Sequence, residues 1–515
     1  MTSFFTAVPS YCSRFGVAVL LVALADFLFY GQPAGITVFL FAVLIAAGVV
    51  AVHPAAFSDG RLWLKPVALF VALLPLGENV SLLSVSIALV AMAIFALSLA
   101  GRLRDRISGI AGQIMLLLLA APFRFIRDFL RWRKAARRIG RRRMRFAAVA
   151  VWVMPLTLGA IFLALFGAAN PIIEYWLSLI DLVKLLDLIE LGRIAFWLFM
   201  LAGVWVYLRP RLPRFPRRIA RLRHDVADVQ PATNPDRRVV EVFGKAAILR
   251  ALIVFNVLFA VQTVLDAAYL WGGIALPDGL TYAAYAHRGA YPLIVTALLA
   301  AGFVLAALRP GGATSADPVI RRLVYVWVAQ NIVLVISSIL RLDLYIGVYS
   351  LTYWRVAAFV WMGLVAAGLA LIIARIALGK PNAWLLSANL LTLSATLYAC
   401  CFINFAAMIA NYNADHSLEM SGQGIPLDTW YLRALGPGAF SALDRFLDHQ
   451  RRTVAADDRV FSELFVEHES AKGSYRILQQ NWRVWSFRDW RLLAYLDRRA
   501  QARVTDVSEP YLRGR

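Results

Sequence analysis

The sequence predicts an all-α, polytopic transmembrane helical bundle of about eleven helices, N-terminus inside and C-terminus outside, with a small helical soluble domain at its C-terminal end. Three observations carry this. Of 515 residues, 61% are hydrophobic and 16% charged, with a mean hydropathy of +0.67, whereas soluble domains run at about 45–50% apolar and about 25% charged. The apolar residues come in unbroken runs of roughly 20, the length at which a helix crosses a bilayer. Hydrocarbon leaves only helices and closed barrels able to pair every backbone polar group, and continuous rather than alternating runs exclude the barrel. Finally, the cations sit in short loops beside those runs.

The predicted spans are 15–30, 33–52, 62–76, 81–100, 146–168, 193–208, 246–270, 291–308, 323–340, 355–378 and 384–410. The first follows a weakly charged start without a small-residue cleavage site, so it reads as an uncleaved helix rather than a signal peptide. The third is short and carries Pro66 and Pro75; it either crosses or is re-entrant. Asn256, Gln330, Asn331, Asn389 and Asn404 lie inside spans, where interhelical hydrogen bonding accounts for them ahead of an ion path.

Charge sets the orientation. Eleven Lys/Arg fall between Arg124 and Arg145 and seven between Arg209 and Arg223, whereas the stretch from Asn411 onward is nearly neutral, with 15 Lys/Arg against 14 Asp/Glu. The opposite loops near Gly31 and at 76–80 hold no Lys or Arg. Basic residues concentrated in alternate short loops are the positive-inside pattern. It places the N-terminus in the cytoplasm and the C-terminus outside, and explains the net charge of +22 by attraction to anionic lipid, not by nucleic acid. Domain organisation follows: 1–208 with a basic cytoplasmic loop at 101–145, a Pro- and Arg-rich cytoplasmic linker at 209–245, further membrane helices over 246–410, and an extracytoplasmic helical domain at 411–515.

Two stretches read as interfacial helices, 110–122 continuing into 124–145 on the inner surface and 171–191 on the outer one, the latter alternatively packed over the bundle. The linker's five prolines between 209 and 236 and its weak periodicity predict partial disorder. No repeat relates the two halves, so inverted-repeat architecture lacks support. In the tail, 427–450 reads as two short helices broken at Gly436–Gly438, with further helices at 460–468 and 474–502. Trp482, Trp485 and Trp490 form a small core there or lie on the lipid surface.

At 24–35 (LADFLFYGQPAG), 168–171 (AANP), 256–292 with its YAHRGAYP motif at 285–292, and in the tail at 411–413 (NYN) and 427–435 (LDTWYLRAL), the chain resembles the bacterial membrane proteins of domain-of-unknown-function family 4173, with its relative 4153. The resemblance covers most of the chain and strengthens the architecture, which with the charge pattern reads as a multi-pass protein of the bacterial inner (plasma) membrane with a periplasmic C-terminal domain. It implies no activity or catalytic residue.

The densest set of unusual residues is Gln262, Asp266 and Tyr269, which share one helical face, followed by Tyr282, Tyr285, His287, Arg288 and Tyr291. An ionisable group in a span costs several kcal/mol unless it is paired or wet, and Arg288 reads as the natural partner of Asp266. The set is either a structural clasp or a polar outer-face pocket (Gln262, Asp266, Tyr285, His287, Arg288, Tyr291) that takes an anionic head group or another envelope ligand. Asp26 and Glu78 reach the same face, and paired carboxylates serve acid–base chemistry. His416, His449 and His468 lack metal-ligand spacing, and no Walker A, GxGxxG, GxSxG or HExxH pattern occurs. No catalytic residue, metal or cofactor is therefore expected. The three cysteines build no disulfide framework. The leading function is a non-enzymatic envelope assembly or signalling component that meets an envelope protein partner through its C-terminal domain. The alternatives are a transporter of a small solute or lipid, or a lipid-linked-donor transferase at the outer face.

Overall fold

The computed structural model describes residues 7–53, 63–103, 107–119, 121–138, 190–210, 245–268, 317–453 and 459–512, with isolated positions between 154 and 162 and at 299, 302 and 303. Every regular element among them is helical. Six are long and apolar enough to cross a membrane: Leu82–Leu99, Leu191–Leu208, Lys245–Asp266, Pro318–Tyr349, Tyr353–Ala377 and Asn382–Cys400. The protein is therefore a multi-pass helical membrane protein. The predicted spans at 146–168 and 291–308, the outer helix at 171–191 and most of the linker lie outside the described residues. The chain divides into two compact units, Met1–Arg214 with Trp482–Ser486, and Phe215–Asn481 with Phe487–Arg515.

The first unit contains α1 (Ala7–Phe29), α2 (Ile36–Val52), α3 (Leu64–Glu78), α4 (Leu82–Leu99), α5 (Ile107–Leu119), α6 (Ala121–Arg138) and α7 (Leu191–Leu208). Leu21, Ala25, Ile45, Val49, Leu73 and Trp205 are buried in its core. Gly48 lets α2 press against Val17, Leu21 and Leu208, where a methyl group would meet side chains at 3.1 to 3.5 Å, the small-residue packing that membrane helices use in place of a hydrophobic driving force. α3 has fifteen residues, about 22 Å at 1.5 Å per residue, short of the ~30 Å hydrocarbon core. The expected surface helix, 110–122 continuing into 124–145, is two helices, α5 and α6, bent by 74°; by length and composition the pair together also reaches that of a broken span or a re-entrant loop.

At the end of this unit where α1 stops and α2 begins, α2 has no side-chain cap. Its first N–H, from Ile36, donates instead to the carbonyl of Trp485 at 2.8 Å, satisfying one of the donors a helix start leaves open. Gly35 makes this possible, because a Cβ there would collide with the backbone of Arg483 and Val484. At the same end Asp26 receives Arg193 through two nitrogens at 2.9 and 2.6 Å and the Trp197 indole at 2.8 Å. The opposite end gathers cations: Arg209 pairs with Asp128 at 3.3 Å, and Arg102 donates to the Pro210 carbonyl at 3.0 Å.

The second unit contains α8 (Lys245–Asp266), α9 (Pro318–Tyr349), α10 (Tyr353–Ala377), α11 (Asn382–Cys400), α12 (Phe405–Asp415), α13 (Leu418–Ser421), α14 (Thr429–Ala434), α15 (Phe440–Thr453), α16 (Arg459–Gln479) and α17 (Phe487–Leu512). α9 begins at a strong signal: Asp317 accepts from the Val319 and Ile320 N–H groups, with proline at the first helical position. It runs 32 residues, well past the predicted 323–340, because Leu342, Tyr345 and Ile346 continue its apolar face beyond Arg341. Trp327 anchors the α8–α9 contact, its ring 5.3 Å from Phe255 and 6.1 Å from Phe259.

The predicted last span, 384–410, is broken at 401–404 between α11 and α12. Asn404 caps α12 through its side chain, so an internal cap ends the crossing where apolarity alone does not. The tail helices predicted at 460–468 and 474–502 are α16, continuous through Gly473, and α17. Nor does the tail enclose only its own core. Ile346, Leu351 and Val356 at the α9–α10 turn are buried in one cluster with Ile409, Leu432, Leu435 and Leu443. Trp482, Trp485 and Trp490 form no core, since all three are substantially exposed.

Candidate functional site

α8 brings Gln262 and Asp266 onto one face, one turn apart, and Gln262 Nε2 donates to Asp266 Oδ1 at 2.9 Å. Among the described residues the cation facing Asp266 is Arg341 of α9; the expected partner, Arg288, lies outside them. Both side chains are buried, Arg341 at 4% and Asp266 at 1% exposure. Tyr269, Tyr285, His287, Arg288 and Tyr291 lie outside the described residues, so the proposed pocket is represented here by Gln262 and Asp266. Arg341 escaped the sequence reading because the span was closed at residue 340, which made it a loop charge.

Two further polar contacts follow the same α8–α9 seam. Asn256 donates across it to the Leu323 carbonyl at 3.2 Å, and Gln330 donates back to the Asn256 carbonyl at 3.2 Å. At the far end, Lys245 at the start of α8 pairs with Asp317 at the start of α9. Carboxylate–cation pairs thus close the seam at both ends, with amides between them. Asn256 and Gln330 act here as interhelical hydrogen-bonding groups, the role their burial in a span favours.

A second constellation lies in the C-terminal helices. Asp444 of α15 is buried and its Oδ1 accepts from His468 Nε2 and Lys472 Nζ of α16, both at 3.0 Å. Its Oδ2 accepts from the Tyr495 hydroxyl at 3.0 Å and faces Arg499 Nε at 3.2 Å, both from α17. Burial by itself raises the Asp444 carboxyl, but the His468 and Lys472 hydrogen bonds and the Lys472 and Arg499 charges reverse this and hold it at about 2. Burial, with the Asp444 charge next, pushes the Tyr495 hydroxyl up to about 12. Glu469 and Asp448 complete the set on Lys472 and Arg499, at 2.7 and 2.6 Å. The sequence offers His468 no metal-ligand spacing and does not point to this network. The available signal was the spacing of His468 with Lys472 and of Tyr495 with Arg499, each pair four apart and so on one helical face.

The tail motifs have structural roles. Asn413 of the NYN motif is buried, accepting from the Leu351 N–H at 2.7 Å and donating to the Leu351 carbonyl at 2.9 Å, which pins the α9–α10 turn. Arg355 reinforces that turn by donating to the Tyr349 and Ser350 carbonyls. In the LDTWYLRAL motif, Asp428 caps α14 by accepting from Tyr431 N–H at 2.8 Å, and Leu432 and Leu435 enter the shared core. Asp26, considered above for acid–base chemistry with Glu78, is engaged by the Arg193 guanidinium and the Trp197 indole.

Apolar crossing helices and ion pairs buried between them define a multi-pass membrane protein whose C-terminal helices pack against the turn of a membrane hairpin. The chain belongs to the family described as domain of unknown function 4153, whose model matches residues 15–446. Of the two related families the sequence resembles, the match is to 4153. Comparison with curated proteins and with solved structures gave no match.

Proposed function

We propose that this protein is a non-enzymatic assembly or signalling component of the bacterial envelope, held in the inner membrane with its N-terminus in the cytoplasm and its C-terminal helices in the periplasm. The observation that carries this reading is the core shared by Ile346, Leu351 and Val356 with Leu432 and Leu443. A tail built onto the α9–α10 turn is a fixed platform, suited to presenting a surface to an envelope protein partner. The Asp444 network supports the same reading, since three donors and the Arg499 cation on one carboxylate stabilise a scaffold. The basic end of the first unit, with exposed Arg102, Arg127 and Arg131, faces anionic lipid of the cytoplasmic leaflet in this reading. Gln262, Asp266, Tyr285, His287, Arg288 and Tyr291 then form the outer polar pocket.

The test combines orientation with function. A reporter active only outside the cytoplasm is fused after Arg515 or inserted within 209–236; the first is expected to be active and the second silent. A photo-crosslinking residue at Trp430, 73% exposed on α14, is then expected to capture a discrete envelope protein in cells, and Arg288→Ala and His287→Ala to lose complementation of a gene deletion at normal abundance. An active reporter within 209–236 overturns the orientation. Full complementation by both substitutions removes the pocket.

A second reading, transport of a small solute or lipid, draws on the Asn256–Gln330 contact at mid-seam. It requires that Gln330→Leu abolish uptake in a protein of unchanged abundance, whereas the scaffold reading expects uptake to be indifferent to it.

A further inference from the structure

We propose that the Trp482–Ser486 turn is a membrane-interface anchor, with the Trp482 and Trp485 indoles seated at the head-group level of the bilayer that surrounds the first unit. The inference rests on the reading of that unit as membrane-embedded.

Geometry fixes the level. The Arg483 guanidinium stands 4.8 Å over the Phe27 ring and donates to the Phe27 carbonyl at 3.4 Å. Phe27 lies two residues inside the last residue of α1, about 3 Å from the helix end at 1.5 Å per residue. Phe27 is 61% exposed, as Leu20 on the same helix is at 60%, the expected state of lipid-facing residues. The turn therefore touches the lipid-facing surface itself, at the point where a 23-residue helix leaves the hydrocarbon.

The turn cannot withdraw from that level. Trp485 holds the first N–H of α2, Val484 and Ser486 are buried, and the Gly35 backbone lies directly against Arg483 and Val484. Yet the Trp482 and Trp485 rings remain exposed, and Arg483 also lies over the Trp482 ring at 5.2 Å. Two indoles and a guanidinium kept at the end of a membrane helix are the chemistry of the interface: an apolar body with a polar N–H for the head-group boundary, and a planar cation that matches phosphate. A water-facing turn has no use for two exposed tryptophans. A protein-binding surface has no need to continue the lipid-facing side of α1.

The experiment uses the full chain with Cys12, Cys400 and Cys401 replaced, in nanodiscs of phosphatidylethanolamine and phosphatidylglycerol. Single cysteines at Leu20, at Trp482 and after Arg515 carry a nitroxide, and collision with oxygen is compared with collision with a water-soluble nickel chelate. The Trp482 label is expected to favour oxygen over nickel several-fold more than the terminal label and less than the Leu20 label. A Trp482 label as nickel-accessible as the terminal one, beside a dry Leu20 label, overturns the anchor alone. A wet Leu20 label overturns the membrane reading of the first unit together with it. Against misfolding of the labelled variants, brominated-lipid quenching is measured on the unlabelled chain and on Trp482→Phe with Trp485→Phe. Loss of a quenchable share of the emission is expected, and unchanged quenching counts against the proposal.

Discussion

Arg341 and Asp266, 75 residues apart in sequence, form an ion pair at the end of the α8–α9 seam with both side chains almost fully buried. The pair joins α8 to α9 through side chains that are 1% and 4% exposed. Removing one partner of such a pair typically costs about 3–5 kcal/mol, while replacing both with apolar groups is often close to neutral. Asp266→Ala and Arg341→Ala are each expected to lower membrane abundance and the melting temperature of the purified protein, and the double variant with Leu at both positions to recover much of the loss. A double variant as unstable as the sum of the singles refutes the pairing.

The Asp444 network predicts an acid-dependent loss of tail stability. Its folded carboxyl at about 2 lies below the ordinary value of 3.8, so the stabilisation is present above pH 4 and disappears as pH falls from 4 toward 2. For this buried group the shift corresponds to roughly 2 kcal/mol. Tryptophan emission of the full chain against denaturant is expected to shift its midpoint downward over that window, and Asp444→Asn to flatten the dependence. At the alkaline end, the raised Tyr495 hydroxyl adds stabilisation that is present below pH 10 and lost as pH rises through 12.

Asn413 closes a two-bond ring with Leu351 in a buried position. Asn413→Ala leaves a backbone donor and acceptor unpaired, at about 1–3 kcal/mol for each unsatisfied group. Limited proteolysis is expected to open the chain near 350–353 in the variant and not in the parent. Asn413→Asp keeps the acceptor and loses the donor, so an intermediate rate is expected.

Gly35→Val places a side chain where the Arg483 and Val484 backbone now lies. The turn must move, releasing the Ile36 N–H from Trp485. Hydrogen exchange at the start of α2 is expected to accelerate by an order of magnitude or more, with the α2 interior unchanged.

Much of the membrane architecture was legible because hydrocarbon imposes its own rule on sequence: a crossing helix must be apolar along its length. Lys245–Asp266, Tyr353–Ala377 and Leu191–Leu208 were read to within a few residues for this reason. Errors gathered where apolarity does not mark an end. The charge of Arg341 marks a span end although α9 continues for two further turns, and the chain around 401–404 stays apolar while Asn404 caps a new helix. The candidate site was legible in half. Asp266 stood out as a carboxylate in a span and Gln262 as its neighbour one turn away, since local spacing is written in the sequence. Arg341 did not, because its partnership joins two helices across a long separation.

By itself the sequence determined that this is a multi-pass membrane protein, where most of its crossing-length helices run and which segments are basic, since those properties depend on residue type and local order along one helix. Only the tertiary structure decided that Arg341 serves Asp266, that His468, Lys472, Tyr495 and Arg499 converge on Asp444, and that Trp485 completes the start of α2. The physical reason is common to all three. A buried charge or an open helix end states that it needs a partner, and the energy of leaving it unmet is large. Which distant residue meets that need depends on how helices stack in three dimensions, and no one-dimensional periodicity encodes it.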